Sequence, residues 1–192
     1  MDSLNFKIRG TTPILMHNSQ LSDPLNRYTK SLKKITGKRK KTEEDLVEMS
    51  RIEALGGLYW NSEYGLHLPG ENIEACLLAA CKFKKLGTTF KRGAQVVELC
   101  CPLVGTGAPD DPEDIAKNDN FKYVKSVKVG TSRVMRTRPI FESWETSFTV
   151  MYDASQLQEE EIIEAANSAG LMVGLGDWRP RFGKFEIVEV VA

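Results

Sequence analysis

Leu68-Pro69-Gly70-Glu71-Asn72-Ile73-Glu74-Ala75-Cys76-Leu77 is a strand end that turns through Pro-Gly straight into a helix. Ile73, Leu77, Ala80 and Cys81 recur at helical spacing, so residues 71–84 are expected to form a helix with one inward face. Glu71 and Glu74 stand at its start and lysines at its end, which matches the helix dipole. Upstream, residues 58–60 and 65–68 read as short strands around the turn 61–64. Residues 4–10 alternate, with Leu4, Phe6 and Ile8 to one side and Asn5, Lys7 and Arg9 to the other, as a half-buried strand does. Downstream, 95–104 is apolar and β-branched enough for a strand, and 144–152 alternates again. Ser155 is placed to cap a helix running to 169, and 185–191 reads as a closing strand.

Two stretches interrupt this series. Residues 11–41 show no sustained period and read as a basic loop, before Thr42 and Asp45 form a capping-box signature for a helix ending at Gly56-Gly57. Residues 121–129 and 132–141 read as a basic hairpin around Gly130. Without the insertions 11–69 and 103–143, the order is strand, helix, strand, strand, helix, strand. The expected fold class is therefore α+β, a ferredoxin-like or RRM-type βαββαβ core in one domain spanning 1–192. The first insertion follows strand 1, and the second puts a hairpin between core strands 2 and 3.

The chain has 26 Lys+Arg against 26 Asp+Glu, but they are segregated. Twenty-two of the basic residues fall in four blocks. Eight lie between Pro24 and Thr42 with no acid among them, including Lys38, Arg39, Lys40 and Lys41. Others group at 82–92 (with Lys91 and Arg92), at 122–138 (with Lys128, Arg133, Arg136 and Arg138) and at 179–184. Acids gather instead at 43–53, 110–119 and 159–164. Such segregation gives a positive surface on a formally neutral chain and suits a polyanion; ordinary solvated faces are the alternative for any one block. Val129, Val134 and Met135 add apolar side chains to the basic hairpin, suited to wedging against bases.

A second motif is Gly174-Leu175-Gly176-Asp177-Trp178-Arg179-Pro180-Arg181-Phe182-Gly183-Lys184-Phe185. Glycines allow close backbone approach to an anion, Arg179 and Arg181 add charge, and Trp178 and Phe182 offer stacking faces, though Phe182 also suits a core position. The Pro-Gly turn into the first core helix, this glycine loop before the last strand, and the two insertion points together resemble the RAMP superfamily. Within it they resemble the repeated backbone subunits of CRISPR effector complexes. The family's Pro-Gly-Ser-like turn corresponds to Pro69-Gly70-Glu71, and its GxG…xRxGxG loop to Gly174, Gly176, Arg181 and Gly183. Glu71-Asn72 replaces the small-residue helix start, and Phe185 stands where the family has its last glycine. The resemblance implies a palm, a thumb-like hairpin and copies stacked along single-stranded RNA. Single-stranded DNA fits the residue chemistry equally, because backbone clamping and stacking need no 2′-hydroxyl.

An alternative is a metal-independent endoribonuclease. His17, in the loop after the first strand, is the candidate general base, with Asp23 as a carboxylate in the same loop. A protein–protein adaptor without nucleic acid is the other class. Four cysteines at 76, 81, 100 and 101 lack zinc-ligand spacing, and His17 and His67 are far apart, so no metal or other cofactor is expected. His67 is expected to face solvent on its strand, and Glu142 and Glu145 to lie at a strand edge. No run is long enough to span a bilayer and no signal peptide is visible, so the expectation is a cytoplasmic protein with reduced thiols and no membrane partner.

Overall fold

The computed structural model describes residues 1–192, the side chain of Val129 excepted. In chain order the elements are β1 (Asp2–Gly10), β2 (Ile14–Leu15), α1 (Arg27–Thr36), α2 (Glu43–Gly57), β3 (Trp60–Asn61), β4 (Gly65–Pro69), α3 (Gly70–Cys81), α4 (Gly87–Gly93), β5 (Ala94–Val96) and β6 (Cys100–Pro102). They continue with α5 (Pro112–Lys117), β7 (Lys122–Val129), β8 (Ser132–Phe141), β9 (Glu145–Tyr152), α6 (Glu159–Ser168) and β10 (Phe185–Val191). The protein is thus mixed α+β, with antiparallel pairing. It divides into two compact units. One is Met1–Ile14 with Trp60–Gly107 and Phe141–Ala192; the other is Leu15–Tyr59 with Ala108–Ile140.

The first unit is built on a four-stranded sheet of order β10-β1-β9-β5. The alternation in β1 sends Leu4, Phe6 and Ile8 into the core while Asn5 and Arg9 stay exposed. Phe6 stands opposite Phe148 of β9, and their rings stack at 5.2 Å. Helices α3 and α6 pack on each other, contributing Ile73, Cys76, Leu77 and Ala80 from one and Ile162, Ala165 and Ala166 from the other. Trp144 is fully buried at the end of β1. Its indole N–H donates to the Thr12 carbonyl at 2.9 Å, and a Cβ on Gly10 would overlap the ring.

The expected strand 95–104 is split. β5 ends as Glu98 turns its carboxylate onto Thr149, accepting the backbone N–H at 2.8 Å and the hydroxyl at 2.7 Å. The chain then passes over the start of α3, where Leu99 accepts the Gly70 N–H at 3.0 Å, and β6 pairs with β4 in the sheet β3-β4-β6. A Cβ at Gly70 would lie 1.8 Å from the Glu98 carbonyl oxygen, so the Pro-Gly turn also makes room for this crossing. His67 is buried on β4 with Nδ1 2.9 Å from the Gly65 carbonyl, correcting the expectation that it faces solvent. The last core helix starts at Glu159, not Ser155, because Asp153 first closes a turn by accepting from the Ser155 N–H and hydroxyl.

In the second unit α2 packs against α1 and α5. Residues 27–36, read as loop, form α1: Asn26 caps it by accepting the Tyr28 N–H at 2.9 Å, and Ile35 is buried. The capping box of α2 is present, with Thr42 and Asp45 bonding each other's backbone N–H. β7 and β8 form the hairpin, within a sheet of order β2-β8-β7.

Candidate nucleic-acid interface

The basic block of the second unit is laid out by α1, the bend after it, and the β7–β8 hairpin. Lys30, Lys33 and Lys34 are exposed on α1, opposite the side that buries Ile35. In the bend, Lys38 Nζ reaches Asp45 Oδ1 at 2.6 Å and Lys41 Nζ donates to the Lys38 carbonyl at 3.5 Å. The Lys38 ammonium and the Thr42 amide hold the Asp45 carboxyl below its usual range. Arg39 and Lys40 are exposed and have no acidic partner among the described residues.

On the hairpin, register places Lys128 opposite Arg133 and Lys125 opposite Arg136. Directly opposed like charges destabilise a strand pair. Arg136 is compensated by Glu53, a buried carboxylate on α2: Glu53 Oε1 accepts from Arg136 Nη1 at 2.6 Å, and Oε2 accepts the Thr137 N–H at 2.8 Å. Arg138 donates to the Thr137 carbonyl at 3.3 Å. Lys128 and Arg133 are exposed and have no acid within reach among the described residues. The hairpin's two faces thus differ: Arg136 is committed to the fold, whereas Lys128 and Arg133 leave their charge in solvent.

Between α2 and this hairpin lies a groove of about 530 Å³, walled by Leu46, Met49, Val124, Val134 and Met135, with Lys41 at its border. Leu46 and Met135 are 56% and 59% exposed, unusual for apolar side chains standing side by side. The sequence signals Val134 and Met135; Val129 lies outside the described side chains. Leu46 and Met49 stand at helical spacing with the buried Ile52 and Leu55, so the sequence alone reads them as one core stripe of α2 and hides their exposure.

In the first unit, the glycines of the loop before β10 are conformationally required. Gly174, Gly176 and Gly183 have φ of 78°, 79° and 73°, where a side chain is strained. Their amides, however, are largely spent inside the chain. The Gly174 N–H donates to Ala169, Leu175 to Gly183, and Gly183 to Pro13, each at 2.8 Å. Lys184 N–H donates to Thr12 Oγ1 at 2.9 Å. What the loop offers outward is Arg179 and Arg181, both exposed, and the half-buried Trp178. Trp178 has φ 53°, and its ring is tilted against Phe182 at 6.4 Å; Phe182 is buried. Lys91 and Arg92 are exposed on α4, on the rim of an open groove.

His17 is half-buried just past β2, and its carbonyl accepts the Tyr59 hydroxyl at 3.0 Å. Asp23 is exposed and closes a turn by accepting the Leu25 N–H at 2.8 Å. Among the described residues, no three His, Cys, Asp or Glu side chains are grouped to hold a metal ion. Glu145 is held below the usual carboxylate range by Arg9 at 2.7 Å and Lys7 at 3.3 Å, as a sheet ion pair. No helix of the described residues is long and apolar enough to cross a membrane. In comparisons with known proteins, no family model and no curated protein matches the chain.

Proposed function

We propose that this protein binds single-stranded nucleic acid, RNA by preference, and coats it as copies assemble along the strand on a RAMP-like, ferredoxin-type core. The strand order β10-β1-β9-β5, on a strand–helix–strand–strand–helix–strand series, agrees with that core plan. The observation that carries the function is the apolar groove between α2 and the hairpin, with Lys41 at its border and exposed cations in the same unit. Backbone clamping needs cations that are not already neutralised, and Arg39, Lys40, Lys128 and Arg133 meet that condition. Bases need apolar faces to rest on, and Leu46, Val134 and Met135 supply them. The Asp23 carboxylate is used in the chain's own turn, accepting the Leu25 N–H; the strand is held and not cut, and a labelled RNA is expected to stay intact with EDTA, Mg²⁺ or Mn²⁺.

The test is the salt dependence of binding. Replacing Arg39, Lys40, Lys128 and Arg133 by Glu leaves the Lys38–Asp45 and Arg136–Glu53 pairs in place. The slope of log affinity against log salt on a single-stranded homopolymer should become shallower by about 3, since each cation lost retains about 0.7 counterion. Electron microscopy with and without the oligomer reads assembly. An unchanged slope removes this surface from the interface.

A further inference from the structure

The groove at α4 is distinct from the one just described and lies wholly within the first unit. It is open, about 700 Å³, and lined by Lys82, Lys85, Lys91 and Arg92 together with Thr88 and Leu78. No carboxylate lines it, and none of the four cations has an acidic partner among the described residues. The neighbouring Lys84 does, pairing with Glu164 at 2.7 Å, so acids are within range of this segment but are directed elsewhere.

The backbone supplies a second observation. Lys85 closes the turn after α3 in the left-handed region, φ 62° and ψ 18°, its N–H donating to the Lys82 carbonyl at 3.1 Å. Glycine or asparagine occupies that region at much lower strain than a long side chain. The residue that closes this turn is thus a poor choice for it, yet it brings a third ammonium, beside the Arg92 guanidinium, to the groove. Strain of this kind concentrates where a side chain serves a ligand.

We propose that this groove is a binding site for adjacent phosphate groups, a compact polyphosphate such as a triphosphate. Four cations converging on one concavity are repelled by each other in the free protein and are neutralised together only by a dense anion. A single phosphate carries too little charge to balance four cations, and an extended strand presents its charges one nucleotide at a time. The Thr88 hydroxyl adds a neutral donor to the same wall. The chemistry is shared by a free triphosphate and by the 5′-triphosphate end of an RNA. The inference does not depend on the strand-coating reading.

Isothermal titration of the full chain with inorganic tripolyphosphate tests it, with orthophosphate as the single-phosphate control. Tripolyphosphate should saturate one site and bind at least about tenfold tighter than orthophosphate. Lys85→Gly should weaken it about tenfold, the loss expected for one charged hydrogen bond. The same variant relieves the backbone, so its melting temperature without ligand should hold or rise, separating lost ligation from lost folding. Lys91→Ala with Arg92→Ala should weaken binding likewise. A 5′-triphosphate RNA binding tighter than its 5′-hydroxyl counterpart, with the advantage lost in Lys85→Gly, identifies a strand end; equal RNAs alongside tight tripolyphosphate binding identify a free small molecule. Wild-type affinity for tripolyphosphate in Lys85→Gly overturns the site, as does binding no tighter than orthophosphate.

Discussion

A Cβ at Gly183 would sit 1.7 Å from the Leu175 carbonyl oxygen, at a φ of 73°. Gly183→Ala therefore forces the loop open and should cost about 2–4 kcal/mol in urea unfolding. Two residues earlier, Arg181→Ala removes only an exposed side chain. It should leave stability within about 0.5 kcal/mol and lower affinity for single strands. The pair separates what the loop does for the fold from what it offers a ligand. Glu53 is the opposite kind of residue, a buried carboxylate serving Arg136 and the Thr137 amide. Glu53→Ala strands both donors and should cost about 2–3 kcal/mol, less than a fully buried pair because Arg136 keeps some water. The thiols differ by burial too. Desolvation pushes Cys76 and Cys101 up to about 12 and Cys81 up to about 11, so at pH 8 they remain protonated. A thiol reagent should label half-buried Cys100 in the native protein and the other three only on unfolding.

At the level of elements, the hairpin sets Lys128 against Arg133, and replacing one sign should relieve it. Lys128→Glu converts a repulsive cross-strand pair into an attractive one, worth about 0.2–1 kcal/mol. Thermal unfolding should show a small gain while nucleic-acid affinity falls, a combination that a merely structural lysine does not produce. The start of α2 responds to acid. Asp45 is depressed in the folded state by Lys38 and Thr42, so its contribution is present above the ordinary carboxylate pKa and is lost as pH falls through the lowered value. Amide protection at the first turn of α2, taken relative to the unstructured exchange rate at the same pH, should fall below about pH 4, and Thr42→Ala, costing about 1 kcal/mol, should bring the same fraying at neutral pH. These elements were legible to different degrees. β1 and β9 follow from alternation, which survives any tertiary context that buries one face. α1 is hidden because its inward residues Tyr28, Leu32 and Ile35 are interleaved with Arg27 and three lysines, and its cap, Asn26, is a residue equally at home in a loop. The break between β5 and β6 is made by Glu98 reaching Thr149, a contact 51 residues apart that no local window contains. The site follows the same division: the cations are plain in the sequence, but that Arg136 is spent on Glu53, 83 residues away, is not.

On the scale of the whole molecule, neutrality conceals a partition. The unit formed by Leu15–Tyr59 and Ala108–Ile140 holds 16 of the 26 basic residues and 11 of the 26 acids, leaving the other unit with the balance of the acids. A chain of sequence pI about 6.7 should therefore still be retained on heparin at pH 7.5 and low salt. The variant carrying Glu at 39, 40, 128 and 133 should elute earlier at unchanged fold, read by circular dichroism. The order β10-β1-β9-β5 has a consequence for how the protein comes into being. β1 sits between two strands that begin at Glu145 and Phe185, so it leaves the ribosome long before either partner exists. At about 5–20 residues per second, the nascent chain carries an unpaired Leu4-Phe6-Ile8 face for roughly ten seconds or more. During translation that face is a natural ligand for chaperones, and ribosome-bound chains arrested before residue 145 should be captured by them far more than full-length chains.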